Sequence, residues 1–233
     1  MSSEKKTPAI RNEVAQFLEK VSRTPSLHTG KTARLIFAMD ATASREPTWD
    51  HACQLQAEMF MATSGLGNLE VQLCYYRGFN ELKASPWCKD ASALLRQMTG
   101  VRCLGGHTQL AKLFRHVLKQ HQIQPVQAVV FVGDALEENA DEVCHLAGKA
   151  GITKLPLFMF QEGNDPVVKS TFQQISQLSG GAYAPFDAAS ADQLKSLLSA
   201  VAVFAVGGRK ALENFASSKG QAISRLTHQL KKK

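Results

Sequence analysis

The chain has 233 residues, 44% of them hydrophobic, and a formal charge of +7, enough length to bury a full core without covalent staples. Its five cysteines (Cys53, Cys74, Cys88, Cys103, Cys144) are odd in number and include no C-x-x-C pair, which argues against a disulfide framework and a structural zinc site. The charge is mostly terminal: from Gly207 onward Arg209, Lys210, Lys219, Arg225, Lys231, Lys232 and Lys233 stand against the single acid Glu213, so no domain-wide basic face for nucleic acid needs explaining.

Residues Met1 to Lys6 are polar with no apolar stretch of signal-peptide length behind them, and the expectation is a cytoplasmic protein. Residues 1–31 read as an N-terminal helical extension, with a helix over 8–22 that aligns Ile10, Val14, Phe17, Leu18 and Val21 on one face. Leu35 to Met39 is apolar on both faces, as in a central strand, and stops at Asp40. Pro47 marks the first turn of a helix running to about Met61. Val71 to Tyr76 is a strand, Arg77-Gly78 a turn, and 79–84 a weaker antiparallel edge strand. Helices are predicted over 90–99 and 108–121, before the buried strand Ala128 to Val132 that ends at Gly133-Asp134. A helix over 139–150, a strand over 155–160, a helix over 166–178, a short strand through Tyr183 and a helix over 190–206 complete the body. The longest apolar run, Leu197 to Val206, falls short of the roughly 20 residues that cross a bilayer.

This alternation predicts an α/β fold: a doubly wound, Rossmann-like mixed sheet, mostly parallel with one antiparallel edge strand and helices on both faces, spanning 32–206. Residues 207–233 form a basic C-terminal tail. Ile223, Leu226 and Leu230 make a narrow apolar stripe in it, and a solvated tail is expected ahead of a partner helix or a membrane-surface helix.

The chemistry gathers at strand ends, where open α/β sheets hold their ligands. Asp40-Ala41-Thr42-Ala43-Ser44 sets a carboxylate and two hydroxyls at i, i+2 and i+4 after the first central strand. Gly105-Gly106-His107-Thr108 delivers a hydroxyl to a helix start, and Gly133-Asp134 ends the other central strand. All five donors, Asp40, Thr42, Ser44, Thr108 and Asp134, are oxygens, a set that selects Mg²⁺, Mn²⁺ or Ca²⁺ over zinc or copper. Mg²⁺ is the intracellular default. With two carboxylates and part of the shell in water, a coordination position stays open for an outside anion.

These residues resemble the von Willebrand factor A (VWA) family and its metal-ion-dependent adhesion site (MIDAS), whose pattern is D-x-S-x-S, a later Thr and a later Asp. The resemblance covers about residues 32–205, with Thr42 in a serine position as the one departure. Pro47-Thr48-Trp49-Asp50 and Phe158-Met159-Phe160-Gln161-Glu162-Gly163 also resemble the small stand-alone bacterial members. The resemblance implies a protein-binding module without catalysis, in which a partner's Asp or Glu completes the Mg²⁺ shell, beside chaperone, ATPase or stress-response machinery.

His107, Glu46 and Glu137 are candidate rim residues. Glu46, Asp50, Glu137 and Glu138 read first as acids that cap or solvate helix starts, Tyr75 and Tyr76 as buried, and Trp49 and Trp87 as either core or interface. Two other functions compete. A metal-dependent hydrolase or phosphatase needs a nucleophile or base aimed at the metal, and neither a P-loop nor the second aspartate of a haloacid-dehalogenase-type site is present. A nucleic-acid-associated factor would act through the tail, with the domain as a docking platform; some family members occur in ribonucleoprotein particles.

Overall fold

The computed structural model describes residues 16–17, 19–21, 32–63, 65–186 and 191–230, with the backbone alone at 45, 47, 48, 51, 54–57, 191–193 and 216–230. Six strands, β1 (Thr32–Asp40), β2 (Asn68–Arg77), β3 (Glu81–Cys88), β4 (Ala128–Gly133), β5 (Leu157–Glu162) and β6 (Tyr183–Phe186), form one sheet in the order β3-β2-β1-β4-β5-β6. All neighbours are parallel except the antiparallel β2–β3 edge, which carries a register shift between Gln72 and Cys74. β1 lies between β2 and β4, so strand order reverses there and the carboxyl ends of β1 and β4 flank the switch-point crevice.

The helices are α1 (Glu46–Ala62), α2 (Ala91–Thr99), α3 (Leu110–Ile123), α4 (Ala140–Ile152), α5 (Pro166–Ser179) and α6 (Ala191–Leu230). Alternation in β1 splits the interior in two. Leu35, Phe37 and Met39 face a core built from α1, α2 and α6 through Trp49, Met59, Leu94, Met98, Leu197, Val201 and Phe204. Ile36 and Ala38 face a core built from α3, α4 and α5 through Leu110, Phe114, Val117, Val143, Phe172 and Ile175. The structure is therefore doubly wound, as the alternating elements predict.

Of the expected 8–22 helix, residues 16–17 and 19–21 are helical, and the rest lies outside the described residues. Phe17 and Val21 are buried, with the Phe17 ring edge-on to Phe160 at 5.4 Å and to Phe158 at 6.2 Å. A fully buried phenylalanine contributes roughly 1.5–3 kcal/mol, so this turn is part of the core.

Several boundaries move, three of them for a readable reason. The edge strand begins at Glu81 because residues 78–80 form the turn itself. The short strand begins at Tyr183, since 180–182 are needed to leave α5 and reach Met159 of β5. The last helical run reaches Leu230 rather than 206, interrupted at Gly208 (φ 64, ψ −162). Beyond that break Leu212 is buried and Phe215 packs on the same core, so apolar contacts carry the helix past the predicted end. The side chains of Ile223, Leu226 and Leu230 lie outside the described residues. No helix among the described residues is long and apolar enough to cross a membrane.

Candidate metal centre

Asp40 is the last residue of β1, 1% exposed. Its Oδ1 accepts the Thr42 N–H at 2.7 Å, which turns the chain sharply out of the strand. Its Oδ2 accepts the Tyr76 hydroxyl at 3.3 Å, a contact set by the parallel register that puts Asp40 opposite Tyr76. Burial first, then the negative charge of Asp40, pushes the Tyr76 pKa well above the usual phenol range, so its hydroxyl stays protonated as a donor. Both carboxylate oxygens are thus oriented.

The turn carries Thr42 and Ser44 into the same space through the 3₁₀ segment Ala43–Arg45 that opens into α1. Thr42 Oγ1 and Ser44 Oγ lie 3.4 Å apart. The Ser44 hydroxyl donates to Asp134 Oδ2 at 3.4 Å, across 90 residues of sequence. At the end of β4, a Cβ on Gly133 would meet the buried Phe131 ring at 2.6 Å, so any larger residue there would have to displace that ring.

Thr108, 6% exposed, is locked to the β4–α4 loop by a reciprocal pair. Its N–H donates to Glu137 Oε2 at 3.0 Å, and the Glu137 N–H donates to its Oγ1 at 2.9 Å. Glu138 accepts the N–H groups of Leu110 and Ala111, the latter at 2.9 Å. It therefore caps α3, whose own N-cap residue Gln109 supplies no side-chain cap. The acid reading of Glu137 and Glu138 as helix-start groups fits, though they serve a different helix from the one that follows them.

The loop before α3 is fastened on two sides. Leu104 N–H donates to Ala41 O at 3.0 Å and His107 N–H to Gly78 O at 3.2 Å, while Gln109 Nε2 reaches Arg77 O at 3.2 Å and Gly78 O at 3.3 Å. A Cβ on Gly106 would sit 2.0 Å from Gly78 O, so only glycine allows this approach.

The result is an open crevice of ≈ 210 Å³ lined by Asp40, Thr42, Ser44, Thr108 and Asp134 together with Ala43, Gly105, Gly106, Ala135 and Glu137. All five sequence-derived residues meet in it. Of the three rim candidates, Glu137 lines the crevice and His107 Nδ1 is 3.0 Å from its Oε2. Glu46 is exposed in the first turn of α1, outside the lining residues. Sequence reasoning gave Tyr76 a core position only; aligning the two strands end to end would have set it beside Asp40. Trp49 is core, its Nε1–H donating to Met98 O at 3.1 Å, and Tyr75 is half-buried edge-on to it at 5.6 Å.

The donor set suits a hard cation: adjacent oxygens around an octahedral Mg²⁺ stand about 3 Å apart, close to the 3.4 Å spacings of Thr42, Ser44 and Asp134. Among the described residues no three His, Cys, Asp or Glu side chains gather as a metal cluster, so a cation here would be held through hydroxyls as well as carboxylates.

Many solved structures are similar in fold, among them the following three. A von Willebrand factor type A protein from Catenulispora acidiphila superposes with a TM-score of 0.59 at 11% identity, covering 75% of this chain and 43% of that one. An aerotolerance-related membrane protein from Bacteroides fragilis gives 0.53 at 14% identity, covering 70% of this chain and 95% of that one. The vWF domain of a type V pili tip protein from Porphyromonas gingivalis gives 0.55 at 7%, covering 76% and 95%. The fold is that of a VWA domain. The chain spans less than half the length of the Catenulispora protein it resembles. No protein-family model matches the chain, and no curated protein matches it in sequence.

Proposed function

We propose that this protein is a protein-interaction module in which Asp40, Thr42, Ser44, Thr108 and Asp134 hold a divalent cation, Mg²⁺ by default, and a partner's Asp or Glu carboxylate completes its shell. The observation that carries the reading is the convergence of five oxygen-bearing side chains, from three separate loops, on one open crevice at the switch point. When bound, the cation supplies an electrostatic anchor for a carboxylate. The chain's own residues do the rest. Tyr76 and the Thr42 amide orient Asp40, the Glu137 amide orients Thr108, and Ser44 links the turn after β1 to Asp134. Glu137 and Glu138 do not simply add negative charge, because backbone donors at the start of α3 take up their carboxylates.

The reading is non-catalytic: among the described residues no His, Cys or Lys lines the crevice, and Glu137, the carboxylate that lines it besides Asp40 and Asp134, accepts the Thr108 N–H. Turnover of a phosphate ester that disappears in Asp40→Ala would overturn it. A cytoplasmic setting accords with five cysteines that are thiols and with Mg²⁺ as the ion. From the sequence resemblance, the partner class to test first is chaperone, ATPase and stress-response machinery.

The experiment is capture of lysate proteins on immobilised protein in Mg²⁺ and in EDTA, beside calorimetric Mg²⁺ titration of wild type, Asp40→Ala and Thr108→Ala. Wild type is expected to take up Mg²⁺ and to retain a set of proteins lost in EDTA and in both variants. Loss of a ligand should lower cation affinity by at least the 10–100-fold, roughly, that changes around ligands cost. Retention of the same proteins regardless of metal would sink the reading.

A further inference from the structure

Two exposed apolar side chains stand beside the loop that lines the crevice, outside its lining residues. Phe79, at the tip of the β2–β3 turn, is 78% exposed. Its ring meets the His107 ring edge-on at 5.2 Å, and His107 is held in turn by Glu137, which lines the crevice. Leu104, 46% exposed, stands on the same loop beside Gly105 and is tied by its amide to Ala41, between Asp40 and Thr42. A turn tip normally carries polar residues, and a phenylalanine left in water there loses what burial would return.

This turn is also rigid. Gly78 O accepts from His107 N–H and Gln109 Nε2–H, Gly106 packs against Gly78 with no room for a Cβ, and the Lys112 ammonium donates to Asn80 O at 2.8 Å and Asn80 Oδ1 at 2.9 Å. An aromatic side chain on a clamped turn, next to a cation-holding crevice, has little freedom left to lose on binding, the property of an interface anchor. The lysine beside it favours an acidic partner segment by charge.

We infer that Phe79 and Leu104 are specificity residues, and that the partner segment presents its carboxylate with a large apolar or aromatic side chain next to it, which packs on one or both of these side chains while the carboxylate enters the crevice. The inference rests on the carboxylate reading of the crevice, and the test separates the two. A random heptapeptide phage library is selected on immobilised full-length protein in Mg²⁺, and the recovered peptides are rebound in EDTA and on Phe79→Ser and Leu104→Ser. Both residues are exposed, so the variants should keep the wild-type melting temperature. The expected result is enrichment of Asp or Glu beside Leu, Ile, Phe, Tyr or Trp, binding lost in EDTA, and affinity about tenfold weaker on Phe79→Ser with Mg²⁺ uptake unchanged. Acidic peptides with no apolar neighbour, equally bound by both variants, would overturn the inference and leave the carboxylate reading standing. Peptides bound equally in EDTA, or no enrichment at all, would overturn both.

Discussion

The two ends of the sheet hold two cavities of opposite character. At the amino end of β1 and β2, residues including Thr32, Phe60, Asn68, Glu70, Lys89 and Asp90 surround ≈ 490 Å³, against ≈ 210 Å³ for the crevice at the carboxyl end. In the larger space both carboxylates serve nearby structure. Asp90 accepts the Ala93 N–H at 2.7 Å and caps α2, and Glu70 pairs with Arg34 at 3.0 Å on the neighbouring strand. In the smaller one, donors from residues 40–44, 108 and 134 point into shared space. Strand polarity explains the contrast: at the carboxyl end the connections leaving β1 and β4 depart to opposite faces of the sheet and open a gap between them, with the start of α3 beside it. Volume alone would have selected the other end.

That comparison can be broken most directly at the fastening of the crevice loop. Gly106→Ala forces a Cβ against Gly78 O and is expected to cost about 1–3 kcal/mol and to displace Thr108. Gly105→Ala, with nothing within 4 Å of its added Cβ, should be nearly silent. Thermal denaturation with Mg²⁺ titration of the pair checks this, and equal behaviour would show that the clamp is unimportant. Next in size is Tyr76→Phe, which removes the Asp40 Oδ2 donor. It should lower stability by about 1 kcal/mol and Mg²⁺ affinity by roughly tenfold, whereas a merely structural tyrosine would change the melting temperature and leave the calorimetric affinity alone. The smallest effect belongs to the other pole: Lys89→Ala should stay within about 0.5 kcal/mol in stability and leave Mg²⁺-dependent capture unchanged. A loss of capture would mean that the amino-end cavity belongs to the binding surface.

Much of the architecture was legible because periodicity survives in the sequence. Leu35 to Met39, apolar on both faces, reads as a central strand and is one; Val71 to Tyr76 with Arg77-Gly78 reads as the start of an antiparallel edge and pairs that way. Helix ends were less legible. Nothing in the glycine pair Gly207-Gly208 distinguishes a stop from a break, and burial of Leu212 after it settles the matter as a break. The five crevice residues were visible as oxygen donors at the ends of predicted strands and at a predicted helix start, since a strand's end fixes where its next side chains go.

Their supports were not visible. Tyr76 reads as one more apolar position until the β1–β2 register sets it opposite Asp40. Glu137 and Glu138 read as acids opening α4, yet their carboxylates serve Thr108 and the first turn of α3. Phe79 reads as a strand residue, and only the approach of Gly106 to Gly78 brings it against His107 beside the crevice-lining loop. The sequence by itself determined the alternating elements, the two-faced burial and the kind of donor at each strand end, because these follow from local pattern and side-chain chemistry. Only the tertiary structure decided which groups orient those donors and what borders them, because hydrogen bonds between segments 29, 36 and 90 residues apart depend on how the loops close over the sheet.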